Sequence, residues 1–206
     1  YPIDLHQVHF PMALARVETQ MSRMADLLDA GDIKAVGVSN FSADQMRRAD
    51  DALRPRGHAL ASNQVRYSLV DRKIESNGAL DAAKERGITI IAYSPLGQGL
   101  LTGKFHENPK LIESRPGPRR YQPRFKQKNL ERTAPLIDEL RSAAEAHDVT
   151  PAQVALAAIT QYHGETVVAI PGATKTRHAE QNAAALLVEL TRVELDRLWS
   201  RARELE

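Results

Sequence analysis

The sequence predicts an α/β fold in which helices cover a parallel β-sheet. Short apolar runs at 3–10, 35–38, 62–67, 88–93 and 166–170 read as strands. Helical patterns lie at 17–30, 43–53, 74–86, 130–147, 151–162, 177–187 and 192–205. Continuous apolar strands alternating with amphipathic helices mark a parallel sheet with covered faces. The first four strand starts recur about every 30 residues, the length of one βα unit. A much longer interval precedes the last strand.

Each element carries its own local signal. Gly31 closes the first helix, Gly87 the third and Gly164 the one before the last strand, as C-terminal helix glycines do. The helix at 43–53 opens on Ser42-Ala43-Asp44-Gln45, a capping box in which the hydroxyl accepts from the N–H three residues on and the long polar side chain reaches back. Thr150-Pro151-Ala152-Gln153 and Thr191-Arg192-Val193-Glu194 repeat the device. Pro151 occupies the first helical position, where its missing N–H costs nothing. Between the fourth and fifth strands an insertion at 106–127, rich in Pro, Arg and Lys, precedes two helices where one would do. A structureless stretch of that length is expected to be functional or mobile.

Composition narrows the function. The chain has 206 residues, 42% of them apolar and 26% charged, with a net charge of +2. That is ordinary globular usage, and the charge makes no case for nucleic acid or an anionic membrane as partner. No apolar run reaches the ~18 residues of a membrane span. The absence of cysteine excludes disulfides, thiolate nucleophiles and Cys-ligated zinc, and fits a cytoplasmic location. The chain opens at Tyr1 directly on a strand-like run, so it is expected to be the later part of a longer one. Two architectures fit: an open doubly wound sheet, or the later five units of a (β/α)₈ barrel. A whole barrel takes ~250 residues, too many for this chain with its insertion. No G-x-G-x-x-G follows any strand, which weakens the dinucleotide-binding doubly wound form.

The strand ends carry the strongest physical hint of a site. His9, Ser39 and Asn40, Gln64, Tyr93 and Ser94, and Pro171 and Gly172 lie at or just past the C-terminal ends of the five strands. In a parallel barrel those ends share one rim, where the chemistry sits. A Gly-rich loop with Gly97, Gly99 and Gly103 follows the fourth strand and ends on Lys104, a combination suited to an anion. Lys175 and Arg177 lie where a helix begins after the last strand, a common phosphate site.

These residues fall into motifs. Asp4-Leu5-His6-Gln7-Val8-His9-Phe10-Pro11, Gly37-Val38-Ser39-Asn40-Phe41, Asn63-Gln64, Tyr93-Ser94-Pro95-Leu96-Gly97 with Leu101-Thr102-Gly103-Lys104, and Ile170-Pro171-Gly172-Ala173 resemble, in order and spacing, the aldo-keto reductases. The resemblance runs from that family's fourth strand to its C-terminus. It implies one partial barrel domain over 1–206, the later five βα units of a (β/α)₈ TIM barrel with a C-terminal helix and without strands one to three. The long insertion looks like that of the bacterial and plant members with a long loop after strand seven.

The resemblance also implies roles. His9 would polarise the carbonyl of a small-molecule substrate, the one member present of a catalytic Asp, Tyr, Lys and His tetrad. Ser39, Asn40 and Gln64 would hold the carboxamide of NADPH/NADP+, and Tyr93 would stack on its nicotinamide. Ser94, Pro95, Leu96, Gly97, Gly99 and Lys104 would take the pyrophosphate. Gly172, Thr174, His178, Gln181 and Asn182 would line the adenosine side. Thr174, His178 and Gln181 depart from the commoner family residues there. The implied activity is NADPH-dependent reduction of aldehydes or ketones to alcohols by the intact parent, this segment alone being inactive. The alternative is a cofactor-binding, catalytically weak or regulatory relative. The basic run Arg115, Arg119, Arg120, Arg124, Lys126 and Lys128 reads as a solvated lid near an anionic cofactor, and Trp199 as packing.

Overall fold

A computed structural model of the chain describes residues 1–11, 15–114 and 120–205. They form two compact units. The first comprises Tyr1–Tyr67, Arg72–Tyr93 and Gly164–Val168; the second comprises Ser68–Asp71, Ser94–His163 and Ala169–Glu206.

The first unit is built on the sheet. β1 (His6–Val8), β2 (Val36–Ser39), β3 (Leu60–Arg66) and β4 (Thr89–Tyr93) lie side by side in chain order, and β5 (Val167–Ile170) follows β4. Pairing from β1 to β4 is parallel throughout. α1 (Val17–Asp29), α2 (Ala43–Leu53), α3 (Lys73–Ser76) and α4 (Ala79–Arg86) supply the crossovers. Two expected elements differ. The strand at 3–10 shrinks to β1, because it pairs only where the four-residue β2 runs beside it; Ile3 keeps one isolated bridge to Ile33. The helix at 74–86 breaks at Gly78, whose φ of +81° lies in the left-handed region and cannot continue a right-handed helix.

Burial of apolar side chains holds this unit together. Val36, Val38, Ile90 and Ala92 are buried, as are Met21, Met46, Ala49 and Ala83 on the helices. Among them sits a buried carboxylate, Asp50. Its Oδ1 accepts from Leu60 N–H at 3.1 Å, and its Oδ2 accepts from Arg54 at 2.9 Å and Arg86 at 3.2 Å. Every oxygen is therefore satisfied, as a buried charge requires. At the surface Arg48 of α2 grips Glu18 of α1 with two N–H groups, which holds the Glu18 carboxyl at about 2.

The second unit is helical: α5 (Lys104–Glu107), α6 (Lys110–Glu113), α7 (Gln127–Ala146), α8 (Pro151–Gln161), α9 (Thr176–Ala184) and α10 (Arg192–Arg203). All three expected capping boxes form, at Ser42, Thr150 and Thr191. Trp199 is fully buried and stacks on Tyr162 with centroids 3.6 Å apart, a packing role. The insertion departs from its structureless expectation. α5, α6 and a 3₁₀ turn at Pro123–Phe125 lie within 104–125, and Phe105, Ile112 and Phe125 join Leu100 and Leu130 in one buried cluster. Arg124, expected to be a solvated charge, donates to both carboxylate oxygens of Asp71 at 3.0 and 3.3 Å. Apolar burial fixes these parts of the segment. Arg115 and Arg119 lie outside the described residues.

His106 ties the insertion to α7. Its Nε2 lies 2.9 Å from Thr133 Oγ1, whose own proton goes to Asn129 C=O at 2.8 Å. The ring must therefore donate through Nε2, leaving Nδ1 bare, and Nδ1 is buried without a partner. Burial, and then the nearby Arg141, hold the imidazole below its ordinary range, while Asp138 and Glu107 oppose them. A histidine buried neutral stabilises the fold fully above its unfolded pKa of about 6.5, and that contribution is lost as pH falls toward the lower folded value. Thermal unfolding of the full-length protein between pH 7.5 and 5 should show an acid-side loss of stability that His106→Gln reduces. Identical pH profiles would exclude His106 as its source.

Gly97 is a second weak point. Its φ is +56°, and an added Cβ would lie 2.8 Å from Val70 Cγ2. Gly97→Ala should cost about 1–3 kcal/mol by denaturant unfolding, and a change below ~0.5 kcal/mol would show that the loop relaxes around it.

Candidate functional site

Side chains alternate between the two faces of a strand. On β3 the buried Asn63 faces the helices: Nδ2 donates to Phe41 C=O at 3.0 Å and Oδ1 accepts from Phe41 N–H at 3.3 Å. Ser62, Gln64 and Arg66 consequently occupy the opposite face. Gln7 of β1 shares it, donating to Ser62 Oγ at 3.3 Å. Gly37 of β2 lies beside them, where a Cβ would come within 2.9 Å of Gln7 Cγ and collide with Ser62 Oγ. This face therefore carries a polar layer.

Four of the expected cofactor residues meet at the C-terminal edge of that face. Ser39 Oγ donates to Gln64 C=O at 2.9 Å, and Asn40 N–H donates to the same oxygen at 2.9 Å. Asn40 Nδ2 donates to Ser39 Oγ at 2.9 Å. Tyr93 O–H donates to Asn40 Oδ1 at 3.1 Å. Asn40 takes φ = +58°, a left-handed conformation that Asn tolerates better than most residues. One Asn40 N–H and the whole Gln64 side-chain amide have no hydrogen-bond partner among the described residues. Together they offer donors and an acceptor to an amide-like ligand.

His9 lies just past Val8, which pairs with Val38 beside Ser39. It is exposed, and its ring stacks on Phe10 with centroids 4.7 Å apart. It therefore sits at the same end of the sheet as Asn40 and Gln64. No described residue hydrogen-bonds its ring.

In the second unit the loop after β4 follows an unusual backbone path. Ser94 and Gln98 have φ of +54° and +60°, and Gly97 and Gly99 also have positive φ. Pro95 and Leu96 lie between Ser94 and Gly97. Gly97 N–H donates to Ser94 C=O, and Gly99 N–H to Leu96 C=O, both at 2.9 Å. These two glycines thus shape the loop and do not present free donors. Charge comes instead from Lys104, whose Nζ lies 5.0 Å from the Phe105 ring centroid and alongside Gly99. No carboxylate pairs with it among the described residues.

The adenosine-side residues are only partly gathered. Thr174 Oγ1 and His178 Nδ1 are 3.4 Å apart. His178, Gln181 and Asn182 stand at i, i+3 and i+4 on α9 and so share one helix face. Gly172 is exposed with open space around it. α9 starts without a side-chain cap after Lys175, leaving its first N–H groups available to an anion, with Lys175 and Arg177 exposed beside them.

Sequence reasoning passed over Asn63 as a positioning residue, and Arg66 as a member of the polar face. Period-two alternation from Gln64 would have identified Arg66. Asn63 could not be found that way, because its partner is a backbone group reached only in the fold. Among the described residues no cluster of His, Asp or Glu could hold a metal, and no helix is long and apolar enough to cross a membrane.

Comparison with known proteins identifies the family. The model of the Aldo/keto reductase family covers residues 1–201. An uncharacterized oxidoreductase of Mycobacterium tuberculosis is 44% identical over 202 residues, which are 98% of this chain and 59% of that protein. An aldo-keto reductase of the fungus Strobilurus tenacellus, str7, is 35% identical, covering 99% of this chain and 59% of that one. The crystal structure of the thermostable aldo-keto reductase Tm1743, bound to the inhibitor epalrestat, superposes with a TM-score of 0.72 at 28% identity, covering 97% of this chain and 60% of that one. The chain thus spans about three fifths of the length of the relatives it matches. Its strands are those of a partial TIM barrel, and the chain belongs to the aldo/keto reductase family.

Proposed function

We propose that the protein of which these residues form part is an oxidoreductase that reduces aldehydes or ketones to alcohols with NADPH. The observation that carries this reading is the unpartnered Gln64 amide beside the Asn40 amide and the Tyr93 ring at one edge of the sheet. A reduced nicotinamide supplies the hydride that turns a carbonyl carbon into an alcohol carbon. Gln64 and the free Asn40 N–H bind the carboxamide, and Ser39 and Tyr93 hold Asn40 in the required orientation. The Tyr93 ring sets which way the bound ring faces. Within the second unit, taken by itself, Lys104 is a charge unpaired among the described residues and suited to a phosphate, and Lys175, Arg177 and the N-terminus of α9 are suited to a further one.

His9 directs an imidazole N–H at the substrate oxygen as negative charge develops there. Neither Tyr67 nor Tyr93 is free to give the proton. Tyr67 is buried and its O–H donates to Glu75 at 2.6 Å, and the Tyr93 O–H is held by Asn40. On this reading the proton comes from a tyrosine outside these 206 residues, and the segment alone does not turn over. Loss of reduced-nicotinamide absorbance with benzaldehyde tests the reading on the full-length protein. Wild type should oxidise NADPH, and His9→Ala should lower kcat/KM by about 10²–10³. No oxidation by wild type would overturn the function; equal rates would remove His9 from it.

Only NADPH carries a 2′-phosphate, so neutralising Lys175 and Arg177 together should weaken NADPH more than NADH. The expected differential is about tenfold or more, the scale of one lost charge-assisted contact. A binding titration with equal losses for both cofactors would exclude these side chains from 2′-phosphate recognition.

A further inference from the structure

Arg66 is the least explained charge on the polar face. It ends β3 on the same side as Ser62 and Gln64, and its register partner is Tyr93. Its guanidinium carbon lies 5.7 Å from the Tyr93 ring centroid, within cation–π range. The ring positions one side of the guanidinium and leaves its donors open. Every arginine on α1, α2 and α4 holds a carboxylate, through Asp26, Glu85, Glu18 and Asp51. Arg66 is exposed and has no carboxylate partner among the described residues. A fixed, unpaired guanidinium beside a free amide is a recognition group for a planar anion, because its fork of N–H donors matches two oxygens at once.

We propose that Arg66 binds an anionic oxygen group, and that this group is a carboxylate carried by the carbonyl substrate. The inference rests on the function proposed above. Two sources share this chemistry, a substrate carboxylate and a cofactor phosphate, and the neighbours of Arg66 decide between them. Gln64 and Tyr93, which share the face and edge of Arg66, are the residues that the proposed function gives to the reacting end of the cofactor. Arg66 therefore makes the protein a reductase of aldehyde or keto acids, favoured over uncharged carbonyls of similar size. It is a specificity residue and needs no part in hydride or proton movement.

The test measures kcat/KM on the full-length protein for 4-carboxybenzaldehyde and benzaldehyde, with wild type, Arg66→Gln, Arg66→Lys and Arg66→Glu. Wild type should prefer the carboxylated substrate. Arg66→Gln should lower that preference about 10–100-fold, Arg66→Lys should restore part of it, and Arg66→Glu should reverse it. A general structural defect would lower both substrates together, leave the preference intact and overturn the proposal. NADPH binding, followed by fluorescence titration, separates the two sources. If Arg66→Gln weakens NADPH and leaves the substrate preference unchanged, the anion is the cofactor's phosphate and the substrate assignment fails. If wild type reduces neither aldehyde, the reductase reading itself falls; if it reduces benzaldehyde without preferring its carboxylate, only the role of Arg66 does.

Discussion

The hydrogen bonds between Asn63 and the Phe41 backbone hold the site's geometry. The buried side chain accepts from Phe41 N–H and donates to its C=O, which places the turn after β2 against the middle of β3. Asn40 immediately before Phe41 is carried into its left-handed conformation, and Ser42 immediately after it begins α2 as a cap. One amide thus sets a strand end, a helix start and the course of the backbone at Asn40. Because strand side chains alternate, the same contact that turns Asn63 toward α2 turns Gln64 away from it.

The two faces of the sheet follow opposite physical rules. The helix side is dry and closely packed, so a polar group there must be fully satisfied, as Asp50 and Asn63 are. On the other side Gln64 is half-buried and Arg66 exposed, and incomplete satisfaction is tolerated there. Gln64 and Arg66 keep open hydrogen-bonding capacity there without the penalty that burial would impose. That asymmetry separates a closed, packed face from one with open hydrogen-bonding capacity within one seven-residue strand.

In the second unit the same economy of contacts appears in the loop after β4. Gly97 exists for its backbone angle and for the space that Val70 occupies, and its N–H closes a turn. Lys104 then supplies the loop's unpaired charge. The insertion beyond it is anchored by apolar burial of Phe105, Ile112 and Phe125 and by the fork of Arg124 on Asp71. These contacts connect residues far apart in the chain, and composition alone made the segment read as solvated.

The sequence by itself determined what depends on neighbours along the chain. The capping boxes at Ser42, Thr150 and Thr191, the βα rhythm and the family motifs at the strand ends are local patterns, so they could be read directly. The polar strand-end residues Asn40, Gln64 and Tyr93 were recognisable for the same reason. Tertiary structure alone decided how much of 3–10 is strand, because a ladder needs a partner of matching length. It also decided that the Tyr93 hydroxyl holds Asn40, that Gln64 is left free and that Arg66 stands unpaired. Each of these is a statement about which groups meet across strands, and distance in the chain carries no information about that meeting.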